Sequence, residues 1–156
     1  MKARLIALFL MVAAAAAGAA KTPVNFAGKW TFDAAQSKNV GMMATMTIHT
    51  TVTQTPAEVI VDDASILNGQ TDTQHTVYRL TGEAIKNTPL MGGTATTVSH
   101  WDGGRLITEW DSPGAIAGTT VKRIETRYLS PDGATMIVES AREGRDALVM
   151  VYTRDR

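Results

Sequence analysis

Between Thr45 and Thr55 the chain alternates strictly. Met46, Ile48, Thr50 and Val52 fall on one side, and Thr45, Thr47, His49, Thr51 and Thr53 on the other. A period of two carried by β-branched residues predicts a strand with one buried and one wetted face. Similar runs recur to the end of the chain, and nothing after residue 21 sustains a helical period over three turns. Ten strands are predicted, at 28–32, 44–54, 58–62, 73–80, 83–87, 94–101, 105–110, 119–129, 134–141 and 147–154. The fold class is all-β: a single antiparallel up-and-down barrel of about ten strands.

The connections support closure. Those at 55–57, 81–82, 102–104 and 130–133 are short, and three of them carry Gly where a turn needs positive φ. Those at 33–43, 63–72, 88–93, 111–118 and 142–146 are longer. In an up-and-down meander the two sets lie at opposite ends, which predicts a tight base and an open mouth. An even strand number lets the first and last strands pair antiparallel and removes both free edges.

Alternation also predicts which side chains face the lumen. Ile48, Tyr78, Trp101, Trp110, Met150 and Tyr152 are assigned inward. On the eighth strand Arg123, Glu125 and Arg127 share a face read as solvated, which turns Ile124 and Tyr128 inward. The mouth loops are unusually apolar, with Met42, Met43, Ile66, Leu67, Leu90, Met91 and Ile116. Exposed apolar groups in loops mark contact surfaces. Two arrangements are compatible with them: a portal for an apolar ligand, or a plug folded into the barrel top.

The first twenty residues stand outside this pattern. "MKARLIALFLMVAAAAAGAA" has Lys2 and Arg4, then an apolar run from Leu5, then small residues. It reads as a secretory signal peptide cut near Ala19 or Ala20, leaving residues 21–156 as one barrel domain. The run is short for a membrane span of about 20 residues, so no stable membrane anchor is expected after cleavage. The expected location is the periplasm or the exterior of the cell.

The 156-residue chain has no cysteine, so thiolate metal sites, disulfides and cysteine nucleophiles are excluded. Its 15 basic and 15 acidic residues balance, and no basic block suggests a nucleic-acid partner. His49, His75 and His100 form no metal-ligand spacing. "GMMATMTIH" offers soft thioether ligands of the kind that suit Cu(I), but Met46 and His49 fall on opposite faces of a strand. No Gly-x-Ser-x-Gly is present, and Asp62-Asp63 reads as solvated turn chemistry. No catalytic residue, metal or cofactor is therefore assigned.

The ordered series "NFAGKW", "AAQSK", "VYRLTGE", "HWDGGRL", "TRYLSPDGATM" and "VYTR" resembles a family of uncharacterised bacterial secreted proteins with a lipocalin-like, calycin-type barrel. The Gly-x-Trp of the first strand is similar to that of lipocalins and fatty-acid-binding proteins. The resemblance implies that Gly28, Trp30 and Arg154 form the barrel base, with the guanidinium on the indole face, a contact worth about 0.5–2 kcal/mol. Residues 33–43 are too few for the two-helix lid of fatty-acid-binding proteins, and Tyr152 and Arg154 reverse the order of their Arg-x-Tyr ligand motif.

The expected function is binding or transport of a small apolar or amphipathic molecule. The alternatives are a ligand-free interaction module that docks a protein partner through the mouth loops, and a cofactor-free barrel isomerase or cyclase. The last would need an ionisable group with a shifted pKa inside the lumen.

Overall fold

The computed structural model describes residues 24–89 and 93–156. Ten strands form one antiparallel sheet: β1 (Gly28–Phe32), β2 (Thr47–Gln54), β3 (Glu58–Leu67), β4 (Gln70–Arg79), β5 (Ile85–Asn87), β6 (Ala95–Asp102), β7 (Arg105–Pro113), β8 (Thr120–Leu129), β9 (Thr135–Arg142) and β10 (Arg145–Arg154). Neighbours in sequence are neighbours in the sheet, and β1 pairs with β10. The predicted up-and-down barrel is what forms. Among the described residues the only helix is a 3-10 turn, Gly41–Thr45, in the β1–β2 connection. That turn occupies the start of the predicted second strand, which begins at Thr47 instead.

Burial follows the alternation that predicted the strands. On β2, Ile48, Thr50 and Val52 are buried while Thr47, His49, Thr51 and Thr53 are exposed. Opposite them Val59, Val61 and Ser65 of β3 are buried. Trp30, Trp110, Phe26, Leu106 and Met136 are the largest side chains enclosed. Each apolar side chain of this size contributes about 1.5–3 kcal/mol by leaving water.

The base is built from the segment ahead of β1. Phe26 is fully buried and stacks on Trp101 at 5.8 Å between ring centroids. Its carbonyl accepts from Trp30 Nε1 at 2.9 Å, and its N–H donates to Gln54 Oε1 at 2.9 Å. Trp30 and Arg154 face each other across the β1–β10 ladder. The Arg154 guanidinium lies 4.1 Å from the Trp30 ring. It also donates to the carbonyls of Ala27 (2.8 Å) and Gly133 (3.1 Å), so it ties three segments of the floor together.

The loop-length sorting needs correction. β3 and β4 run on to Leu67 and Gln70, so their connection is the two-residue turn Asn68-Gly69, with φ of 51° and 77°. Asn-Gly in this conformation is the favoured tight hairpin. β9 and β10 likewise pair up to Arg142 and Arg145. Two of the five mouth connections are therefore short. The expectation failed because the upper half of β4, Gln70–Thr73, is exposed on both faces. A hairpin that projects beyond the packed wall has no buried face to impose alternation.

The sheet closes imperfectly between β4 and β5, which share no backbone ladder. The Asn87 side chain bridges them instead. Its Oδ1 accepts from Val77 N–H at 3.0 Å, and its Nδ2 donates to the Val77 carbonyl at 2.8 Å and to Thr97 Oγ1 at 2.7 Å. A carboxamide presents one acceptor and two donors, so it can replace a missing peptide group along a strand.

Candidate functional site

Charged and hydroxyl-bearing side chains meet in the upper half of the barrel, and β8 supplies most of them. Its inward face carries Arg123, Glu125 and Arg127; Glu125 and Arg127 are each 6% exposed. The sequence reading of this strand was inverted. Ile124 points outward and is 50% exposed. Tyr128 also lies on the outer side, where its hydroxyl donates to Glu139 at 2.5 Å under the Arg105 guanidinium. Hydrophobicity misled here because both faces of β8 are mixed, and the charged face is matched by partners across the lumen.

The partner across the lumen is Tyr78 of β4. Tyr78 Oη donates to Glu125 Oε1 at 2.9 Å, and Arg127 Nη2 donates to both Tyr78 Oη (3.1 Å) and Glu125 Oε1 (3.2 Å). The register brings Glu125 opposite Thr108 and Arg127 opposite Leu106 on β7. Burial pushes the Tyr78 phenol far above its usual range, and the Glu125 charge adds to this, so Tyr78 stays a donor. Burial alone would weaken the charged form of Arg127, but the oxygens of Tyr78 and Glu125 more than compensate. The triad is thus a direct ion pair with a neutral phenol hydrogen-bonded to both its members.

Asp63 adds a second carboxylate. It was read as turn chemistry, yet it lies within β3 and faces the lumen, while Asp62 faces out and contacts His75 Nδ1 at 2.6 Å. Thr50 donates to Asp63 from the neighbouring strand. Burial pushes the Asp63 carboxyl above its ordinary value. Nearby, Tyr152 Oη lies 3.5 Å from Met150 Sδ.

These groups border a cavity of about 100 Å³. Ile48, Tyr78, Trp110, Met150 and Tyr152 line it, together with Met43 from the mouth. Trp101, also assigned to the lumen, is half-buried at the floor against Phe26. Of the other mouth residues, Met42 and Ile116 are 69% and 73% exposed. Ile66 and Leu67 are half-buried in β3 rather than in a loop, and Leu90 and Met91 lie outside the described residues. Gly28, Trp30 and Arg154 meet at the opposite end of the barrel.

Two donors on side chains that line the cavity are sealed within the packing and unmet. Trp110 Nε1 and Arg127 Nε are buried and have no hydrogen-bond partner among the described residues. Trp110 is held by the Tyr78 ring at 6.3 Å, edge-on, and by the Arg123 guanidinium at 4.4 Å from its ring centroid. The histidines take no part: His49, His75 and His100 are exposed on the outer surface.

Sequence reasoning missed Asp63, Glu125 and Arg127 because charge was equated with solvent. A usable signal was the neighbouring ladder. Leu106, Thr108 and Trp110 face inward on β7, and their cross-strand partners Arg127, Glu125 and Arg123 must share that face.

No protein-family model matches the chain, and no curated protein sequence matches it. Solved structures do. The REP1-NXSQ fatty acid transporter superposes with a TM-score of 0.65 at 17% identity, covering 83% of this chain and 96% of that one. Echinococcus granulosus fatty-acid-binding protein 1 gives 0.66 at 14%, covering 84% and 98%. The fluorescent protein UnaG gives 0.67 at 16%, covering 83% and 97%. At such identities the likeness is one of fold: this chain has the ten-stranded barrel found in fatty-acid-binding proteins.

Proposed function

We propose that the protein binds a small amphipathic molecule in the barrel, with its polar end among Tyr78, Trp110 and Arg127 and its apolar part toward Met43, Leu148 and Met150. The cavity carries this reading: a partly open space lined by Tyr78, Glu125, Arg127 and other polar side chains on one side and by flexible apolar side chains on the other. Apolar cavities of about 150 Å³ hold a benzene ring, so the space present takes a polar head or a single small ring. A longer ligand must displace the methionines at the mouth, which adapt at low cost because an unbranched thioether has many rotamers. That the similar barrels include a fatty acid transporter and a fatty-acid-binding protein supports the reading.

The protein is further proposed to act outside the cytoplasm, after loss of residues 1–20. Both parts rest on independent observations, the cavity and the apolar leader, and either can fail alone.

Thermal-shift and native mass-spectrometry measurements with a panel of fatty acids, alcohols, esters and small aromatic ketones test the binding. A mass-resolved one-to-one complex with a raised melting temperature is expected for at least one class. A barrel that shifts with none of them is a filled structural module.

A further inference from the structure

Asp63 is a lumen carboxylate without an ion-pair partner among the described residues. It lies on β3 opposite Thr50 of β2 and Gln74 of β4. Thr50 is buried on the inner face of β2, in line with Ile48 and Val52. Asp63 Oδ1 accepts from that inward hydroxyl, so the carboxylate stands inside the barrel. Thr50 supplies one hydrogen bond, and a carboxylate can accept about four. Oδ2 has no partner among the described residues, and it is not sealed in the packing as Trp110 Nε1 and Arg127 Nε are. Asp63 borders the cavity, and this oxygen is open to it.

The same wall offers further acceptors. Gln74 Nε2 donates to Thr76 Oγ1 at 3.2 Å and to the Thr88 carbonyl at 3.0 Å. A carbonyl can only accept, which fixes the orientation of the amide and spends both its hydrogens. Gln74 Oε1 is left as an acceptor next to Asp63. Ser65, the next inward position of β3, also borders the cavity, and its hydroxyl has no partner among the described residues.

The guanidiniums nearby are engaged elsewhere. Arg127 is held by Glu125 at 3.2 Å and by Tyr78, and Arg123 is half-buried over the Trp110 ring. Burial is the largest influence on the Asp63 carboxyl and raises its pKa, against the opposing effects of the Thr50 hydrogen bond and Arg127. The ionised carboxylate is therefore short of solvation even with Arg127 in reach. A cation in direct contact supplies what it lacks.

We infer that the cavity takes a ligand whose polar end is a protonated primary amine, held by Asp63 with Gln74 Oε1 and Ser65 Oγ beside it. An ammonium carries three donors and no acceptor, which suits a carboxylate flanked by two further oxygens. A ligand carboxylate would meet acceptors on this wall. The inference rests on the lumen-binding reading above and narrows its ligand class. It sets the head on the β3–β4 side of the polar cluster, with the apolar remainder toward Met43 and Met150.

Titration calorimetry of the purified protein at pH 7 with octylamine, octanol and octanoate tests this, since the three share one chain and differ in the head. Octylamine is expected to bind about tenfold more tightly than either of the others, the gain of a charge-assisted contact. Asp63→Asn keeps the shape and removes the charge. It should cost octylamine that advantage and leave octanol, which can also donate to a carboxamide oxygen, nearly unchanged. Octanol or octanoate binding as tightly as octylamine to the unsubstituted protein overturns the inference and leaves lumen binding standing. Undiminished octylamine binding by the Asp63→Asn variant overturns it in the same way. Failure of all three to bind overturns the lumen-binding reading and this inference with it.

Discussion

Gly28 is held at φ 140°, and a Cβ at this position would stand 2.7 Å from Arg154 Nη1. Both the conformation and the contact exclude a side chain, since the guanidinium cannot retreat without leaving the Trp30 face and the Ala27 carbonyl. Gly28→Ala is expected to destabilise the barrel by about 1–3 kcal/mol, read from urea unfolding. Asp63 makes the opposite case, a residue whose charge opposes folding. Its folded pKa is raised by burial above the ordinary carboxyl value, so the folded state binds more protons than the unfolded state between those two values. Stability from this group is therefore greatest at low pH and falls as pH rises through that window. Asp63→Asn removes the penalty: its melting temperature should exceed that of the unsubstituted protein at pH 7, with the gap shrinking toward pH 3.5. A gap that widens on acidification contradicts the assignment. Gly28 and Trp30 were legible in the sequence because Gly-x-Trp is a local pattern. Asp63 was not, because its pKa depends on groups from β2 and β8.

At the scale of elements, β8 and β5 show how a local pattern can mislead or fall short. On β8, Lys122, Ile124, Thr126 and Tyr128 form the outer face and Arg123, Glu125 and Arg127 the inner one. Seen alone, the strand argues for the reverse. What decides its orientation is the pairing with β7, where Leu106 and Trp110 must be buried. Breaking the buried ion pair that results, by removing one partner, costs about 3–5 kcal/mol in comparable cases, so the inward face is stable only as a set. β5 is three residues long and joins β4 chiefly through Asn87. Asn87→Leu keeps the volume roughly constant and leaves the Val77 N–H and C=O unmet. About 1–3 kcal/mol of stability should be lost, and hydrogen exchange at the Val77 amide should quicken far more than at amides of β9. Equal exchange at both sites would mean that the seam is held by packing instead.

For the whole molecule, the β1–β10 ladder pairs both terminal strands with one another, so their backbone groups are met in a chain that has no cysteine to cross-link them. Expressed from its own leader in a bacterial host, the protein is expected in the periplasmic or extracellular fraction, with a new N-terminus after Ala19 or Ala20. Recovery of uncleaved protein in the cytosol would count against export. The strand number and the antiparallel meander were determined by the sequence alone, because alternation and Gly-containing turns are local signals that act within a few residues; the base was legible only through the resemblance that its Gly-x-Trp carries. The tertiary structure alone decided that Asp63, Glu125, Arg127 and Tyr78 face one another, that β3 and β4 extend to Asn68-Gly69, and that Asn87 bridges the seam. The reason is physical. The Arg127–Glu125 pair lies within β8, but it is buried stably only with Tyr78 of β4 and the walls of the neighbouring strands around it, so the free energy of that arrangement belongs to the cluster, not to any residue in it.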